Sequence, residues 1–250
     1  MATVHLLGTG AALSDAGRTT TMLAVEAGPS VFLVDCGGDA AHRLLAAGLS
    51  LAKLSGLIVS HEHADHVAGF PLLMERLWLA GIGARFPVYG IAPAIAQARR
   101  IHDAFDIDSW PNYPEIEYHE FPEEHGALVV ENDDLVVTAA PGDHSVPVVG
   151  FRFESKASGK VLAYSCDTQY SPAIVKLADG ADLLIHEASG PAPGHSAPGV
   201  AGRVAREAGV KSLVLIHLPP LQGQEEAWLD QARESFHGAV LGSDGASYEF

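Results

Sequence analysis

The segment Ser60-His61-Glu62-His63-Ala64-Asp65-His66 directly follows an apolar run, Leu57–Val59, and constrains this chain more than any other feature. A single buried histidine is usually a satisfied core or surface residue. Three histidines and an aspartate in an H-x-H-x-D-H pattern resist that explanation. On a strand-to-helix loop such side chains can fold back into one small volume, His61 and His63 aiming at one ion and Asp65 and His66 at a neighbour. Imidazole and carboxylate form a normal ligand set for zinc or another borderline divalent ion.

Further donors stand at strand ends. His144 follows Pro141-Gly142-Asp143 after the run Leu135–Ala139, Asp167 lies just past Val161–Tyr164, and His217 ends the apolar run Leu213–Ile216. Each could be ordinary strand-end polarity. Together they suffice for two coordination shells along one edge of a sheet. The 13 histidines nearly equal the 15 lysines and arginines combined, which also points to metals.

Composition narrows the remaining classes. With 250 residues, 48% hydrophobic and 18% charged, the chain can bury a large core without disulfides or a structural metal. No apolar run approaches the ~18 residues of a spanning helix, so no membrane association is expected. The N-terminus enters strand-like sequence with no basic region before an apolar stretch, so no signal peptide is expected. Two cysteines, Cys36 and Cys166, make no disulfide framework and suit a reducing cytoplasm. A formal net charge of −16 opposes extended nucleic-acid binding, while a small anionic substrate remains compatible with a locally cationic site.

Short β-branched or Leu-rich runs recur at 4–7, 21–25, 31–34, 57–59, 87–89, 135–139, 146–153, 160–164, 182–185 and 212–216, bounded by Gly, Pro, Asp and Asn. Helical patterns fall at 40–47, 67–79, 93–105, from an N-cap at Ser171 to Gly180, and along a stripe of Val200, Val204 and Ala208. With no linker or repeat, the expectation is an α+β fold in a single domain, 1–250. Two mixed β-sheets would pack face to face, with helices outside. The stretch 107–126, rich in Pro, Glu and aromatic residues, reads as a surface excursion: a packed loop, a lid or a pocket wall. Glu75, Arg76, Arg99 and Arg100 read as solvated helix faces, and His5, His42, His102, His119, His125 and His237 lack ligand spacing.

The H-x-H-x-D-H motif, followed in order by His144, Asp167 and His217, resembles the metallo-β-lactamase fold superfamily. Leu7-Gly8-Thr9-Gly10, Asp143-His144-Ser145-Val146-Pro147, Tyr164-Ser165-Cys166-Asp167-Thr168, His186-Glu187-Ala188 and Gly194-His195-Ser196 resemble successive motifs of its ribonuclease Z-like branch. The resemblance implies a four-layer αβ/βα sandwich and two divalent metal ions, Zn²⁺ foremost and Mn²⁺ or Fe as substitutes. His61, His63 and His144 would bind the first ion, Asp65, His66 and His217 the second, and Asp167 both. Cys166 lies beside the shared position and, like Cys36, reads as structural. Asp35 reads as a residue that orients a ligand histidine.

Two divalent ions ~3.5–4 Å apart lower the pKa of a water between them and clamp the oxygens of an in-line phosphoryl displacement. Asp65 could orient that water, and His195, held by Glu187 or His186, could protonate the leaving group. Ribonuclease Z proper inserts a long Gly/Pro-rich arm between the positions matching His144 and Asp167, where this chain has only a 23-residue interval. The expected function is therefore a metal-dependent phosphodiesterase acting on small, cyclic or linear phosphodiesters. Alternatives are ribonuclease Z-type processing of tRNA 3′ ends, hydrolysis of a lactone, sulfate ester or thioester, and a non-catalytic metal-binding protein. Analogy with relatives adds a homodimer.

Overall fold

A computed structural model of the chain describes residues 2–107 and 109–250. Met1, at the head of the first strand-like run, and Asp108, inside the expected surface excursion, lie outside the described residues.

The first half builds strands β1 (Ala2–Gly8), β2 (Met22–Ala27), β3 (Ser30–Val34), β4 (Leu54–Val59), β5 (Arg85–Gly90) and β6 (Glu115–Glu120). Among them lie helices α1 (Ala40–Ala46), α2 (Ala64–Val67), α3 (Phe70–Leu79) and α4 (Ala92–His102). The second half supplies β7 (Ala127–Glu131), β8 (Leu135–Pro141), β9 (Val149–Ser155), β10 (Val161–Tyr164), β11 (Leu183–Glu187), β12 (Leu213–Ile216) and β13 (Ala239–Leu241). Its helices are α5 (Pro172–Leu177), α6 (Pro198–Glu207) and α7 (Glu225–Arg233), and β14 (Ser247–Glu249) closes the chain.

These strands form two seven-stranded mixed sheets, ordered β14-β1-β2-β3-β4-β5-β6 and β13-β12-β11-β10-β9-β8-β7. The main core lies between them, where Leu33, Ile58, Phe151, Phe153, Tyr164 and Ile216 are buried together. A second apolar layer packs Leu184, Leu213 and Leu215 against Ala201, Val204 and Ala205 of α6. Helix α4 covers β5 and β6 outside the first sheet, while α5 and α6 cover the second. This is the expected sandwich. The strands β10 and β12 are buried along their whole length, which is why they read as unbroken apolar runs rather than alternating ones.

The site edge follows from strand direction. β3 through β6 run parallel, as do β10 through β13, so the loops after β3, β4, β10, β11 and β12 leave from C-terminal strand ends. The interval between His144 and Asp167 holds only β9 and β10.

Several sequence expectations are corrected. Glu115–Glu120, inside the expected surface excursion, is the edge strand β6, in parallel register with β5 from Arg85↔Glu115 to Gly90↔Glu120. Its Glu-rich, half-exposed sequence hid it, and charge of that kind is what keeps a sheet edge from pairing with other chains. The helical stretch 67–79 is two helices. Gly69 separates them because its N–H bonds Cys36 O at 2.7 Å, and a Cβ there would collide with Gly38 O. Ser171 does precede α5, but its hydroxyl makes no capping bond. The buried stripe of α6 runs through Ala201, Val204, Ala205 and Ala208, with Val200 only half-buried. Among the described residues no helix is long and apolar enough to cross a membrane.

Candidate metal centre

The loop after β4 carries His61 and His63, and α2 carries Asp65 and His66. A close approach fixes this loop against the end of β3: a Cβ on Gly37 would collide with Asp65 O, and Cys36 N donates to His66 O at 2.6 Å. His144 arrives from the β8–β9 loop, Asp167 from the end of β10 and His217 from the end of β12.

These seven side chains converge as two groups, His61, His63 and His144 in one and Asp65, His66, Asp167 and His217 in the other. In the first, His63 Nδ1 lies 3.1 Å from His61 Nε2 and 3.2 Å from His144 Nε2. Tetrahedral ligation at 2.0–2.1 Å would separate ligand nitrogens by roughly 3.3 Å. In the second, Asp167 Oδ2 lies 3.4 Å from His66 Nε2 and 3.3 Å from His217 Nε2, and Asp65 Oδ2 lies 3.5 and 3.4 Å from the same atoms. Asp167 Oδ2 also stands 4.0 Å from His61 Nε2, between the two groups.

The outer atoms of these rings determine what their inner atoms can do. His66 Nδ1 donates to Asp35 Oδ2 at 2.8 Å, His144 Nδ1 to Gly194 O at 2.7 Å, and His61 Nδ1 faces Ser60 Oγ at 3.0 Å. Ser60 Oγ itself donates to Asp35, 2.9 Å from each carboxylate oxygen, and so is left to accept from His61. These tautomers turn the Nε2 lone pairs of His61, His66 and His144 inward. One proton on His63 Nδ1 can serve only one of the two lone pairs facing it. His66 Nε2 and Asp167 Oδ1 are buried without any hydrogen-bond partner. Converging lone pairs, two carboxylates and orphaned buried atoms fit divalent cations.

The electrostatics agree. Burial and the neighbouring rings hold His61 well below its ordinary pKa. Burial acts the same way on His66, but Asp167 and Asp35 outweigh it and hold that ring well above its ordinary value. The negative charge that favours a proton there equally favours a metal ion. Burial alone would raise Asp65 and Asp167, yet His217 and His66 hold both carboxyls well below the usual range.

His195 stands at the mouth, half-buried, its ring 4.7 Å from that of His144 and 5.6 Å from that of His217. Of the two residues expected to hold it, Glu187 does so. Its Oε1 lies 3.0 Å from His195 Nδ1 and also accepts from Thr168 N and Ser196 N, while Oε2 accepts from Ser189 N and Oγ. His186 turns away and donates to Glu187 O, as alternation along β11 requires. The Glu187 bond raises the His195 pKa against the effect of burial.

Asp35 accepts from His66 Nδ1, the contact expected of a residue that orients this ring. Sequence reasoning missed Ser60, Thr168, Ser189, Ser196 and Gly194 as supports, although each lies beside a recognised motif residue. Both cysteines are free and buried, with Cys166 Sγ 3.7 Å from His61 Nδ1. Asp35, Cys166 and His217 adopt positive φ of 61°, 52° and 53°, each directly or shortly after a strand at the site edge. For non-glycine residues this conformation is strained and is sustained only by surrounding contacts.

Residues 31–218 match the family described as the beta-lactamase superfamily domain. The chain is 30% identical to a ribonuclease Z of Methanothermobacter thermautotrophicus, over 94% of this chain and 92% of that one. The metallo-beta-lactamase fold protein YhfI from Bacillus subtilis superposes with a TM-score of 0.81 at 24% identity, over 99% of this chain and 98% of that one. A diphosphatase of the PhnP family superposes with a TM-score of 0.75 at 23% identity, over 100% and 98% of the two chains. At such identities the structural likeness establishes the fold.

Proposed function

Since the chain belongs to the beta-lactamase superfamily, with ribonuclease Z among its relatives, we propose that it is a metal-dependent hydrolase of phosphodiester bonds acting on small, linear or cyclic substrates. The observation that carries this reading is the convergence of seven donor residues into two groups about Asp167 Oδ2, with His195 at the mouth.

His61, His63 and His144 would hold one ion, Asp65, His66 and His217 the other, and Asp167 would serve both. Zn²⁺ suits this donor set best, with Mn²⁺ or Fe as substitutes. Bound divalent ions supply a nucleophile at neutral pH by lowering the pKa of water, and they neutralise charge on the phosphate. Asp65 accepts a hydrogen bond from the attacking water and fixes its direction. His195, with Nδ1 tied to Glu187 and its pKa raised by that bond, would deliver a proton from Nε2 to the leaving alkoxide. The short hairpin β9–β10 leaves no arm to grip a large RNA, and the net charge of −16 repels polyanions, so small substrates rank first. The buried free thiols suit a cytoplasmic protein, and residues 1–250 act as one hydrolase domain.

The likeness to ribonuclease Z favours a second reading, cleavage at RNA 3′ ends. Hydrolysis of bis(p-nitrophenyl) phosphate by Zn²⁺- or Mn²⁺-loaded protein, beside Asp65→Ala, tests the first. Turnover lost in the variant supports a phosphodiesterase. No turnover on this ester, with metal bound and a precursor tRNA cleaved, moves the assignment to the second.

His195→Ala should retain its metal and slow turnover by about 10²–10⁴-fold, the usual contribution of general acid–base catalysis. The loss should be greater for an alkyl than for a p-nitrophenyl leaving group. Equal losses for both would remove His195 from the proton-donor role.

A further inference from the structure

A cavity of about 200 Å³ lies between the outer face of α3, the end of α4 and the chain after it, lined among others by Leu72, Glu75, His102, Phe105, Trp110 and Tyr113. No residue of the metal centre lines it. Its wall is aromatic and fixed in place. Trp110 packs on Trp78 with ring centroids 4.6 Å apart and meets Tyr113 edge to face at 5.9 Å. Trp78 Nε1 donates to Pro111 O at 2.8 Å, tying this segment to α3, and His102 Nε2 pairs with Tyr113 Oη at 3.0 Å.

Glu75, expected from the sequence to lie on a solvated helix face, is half-exposed and lines this cavity. Among the described residues no lysine or arginine forms an ion pair with it, and the adjacent Arg76 is turned to Asp39 at 2.6 Å. A second hollow sharing His102 and Phe105 is lined by Asp103 and Asp106, adding negative charge. Burial lowers the pKa of His102, so its ring brings no opposing charge at neutral pH.

Aromatic faces carry negative quadrupole potential, and a carboxylate beside them completes the complement of an organic cation. An anion would be repelled. A wholly neutral guest would desolvate Glu75 without pairing it. A bare ammonium or metal ion is strongly hydrated and gains little from an apolar wall, whereas an alkylated ammonium surrenders little hydration and fills the space with methyl groups. The net charge of −16 further concentrates cations at the surface. We propose that this cavity is a binding site for a quaternary ammonium group.

The test is calorimetric titration of the full chain, at constant ionic strength and with a chelator present, using choline and its neutral isostere 3,3-dimethylbutan-1-ol. Choline should bind about tenfold more tightly than the isostere, the difference a desolvated cation–π and carboxylate contact makes. Glu75→Gln, a conservative change on a partly exposed helix, should weaken choline about tenfold and leave the isostere unchanged. Trp110→Ala should weaken both. Equal affinity for the two probes, choline binding indifferent to Glu75→Gln, or no saturable choline binding would each overturn the proposal. Because metal is removed throughout, the outcome is independent of whether the hydrolase reading holds.

Discussion

Asp167→Asn should strip the protein of divalent metal and lower turnover on the order of 10⁴-fold, the scale of losing a principal catalytic group. Asp167 Oδ2 faces His61, His66 and His217 at 4.0, 3.4 and 3.3 Å, so it reaches rings of both groups. Two divalent ions would bring four positive charges, and after the substitution only Asp65 among the seven candidate donor residues would return a negative one. Asparagine preserves shape and occupies the same buried volume, so the loss isolates charge from packing. Elemental analysis after dialysis should find two ions per chain in the parent and fewer than one in the variant, with unchanged circular dichroism. Two ions retained at parental affinity would show that Asp167 is not the shared ligand.

Glu187→Gln should cost about 3 kcal/mol of stability, as expected when a buried charged acceptor loses its match to several donors. All five donors around this carboxylate are N–H or O–H groups, and the side chain is fully buried. A glutamine must turn its own NH₂ towards some of them. For a chain of this size the melting temperature should fall by roughly 10 °C. The same substitution releases His195, so turnover should drop by about 10²-fold. Because Glu187 acts on the reaction through His195, adding the substitution to His195→Ala should lower turnover little further while still lowering the melting temperature. A further hundredfold fall in that double variant would give Glu187 a role of its own in the reaction.

The seven residues that converge were legible from the chain alone because such patterns are local: H-x-H-x-D-H packs four candidate donors into six residues, and His144, Asp167 and His217 each follow a readable apolar strand. Layering was legible too, since strands buried on both faces must read as continuous apolar runs. Less local features were not. β6 is rich in Glu, and only its pairing with β5 makes it a strand. The choice of Glu187 over His186 depends on which face of β11 each side chain leaves. The tautomers of His61 and His66 depend on Asp35, some 30 residues upstream, held at a positive φ that no local propensity favours. Glu75 reads as an ordinary surface carboxylate until the fold sets it in one cavity lining with Trp110 and Tyr113. Residue type and strand-end position thus determined which groups could bind metal. Tertiary structure decided their protonation, orientation and supports, because those depend on contacts between segments far apart in the chain.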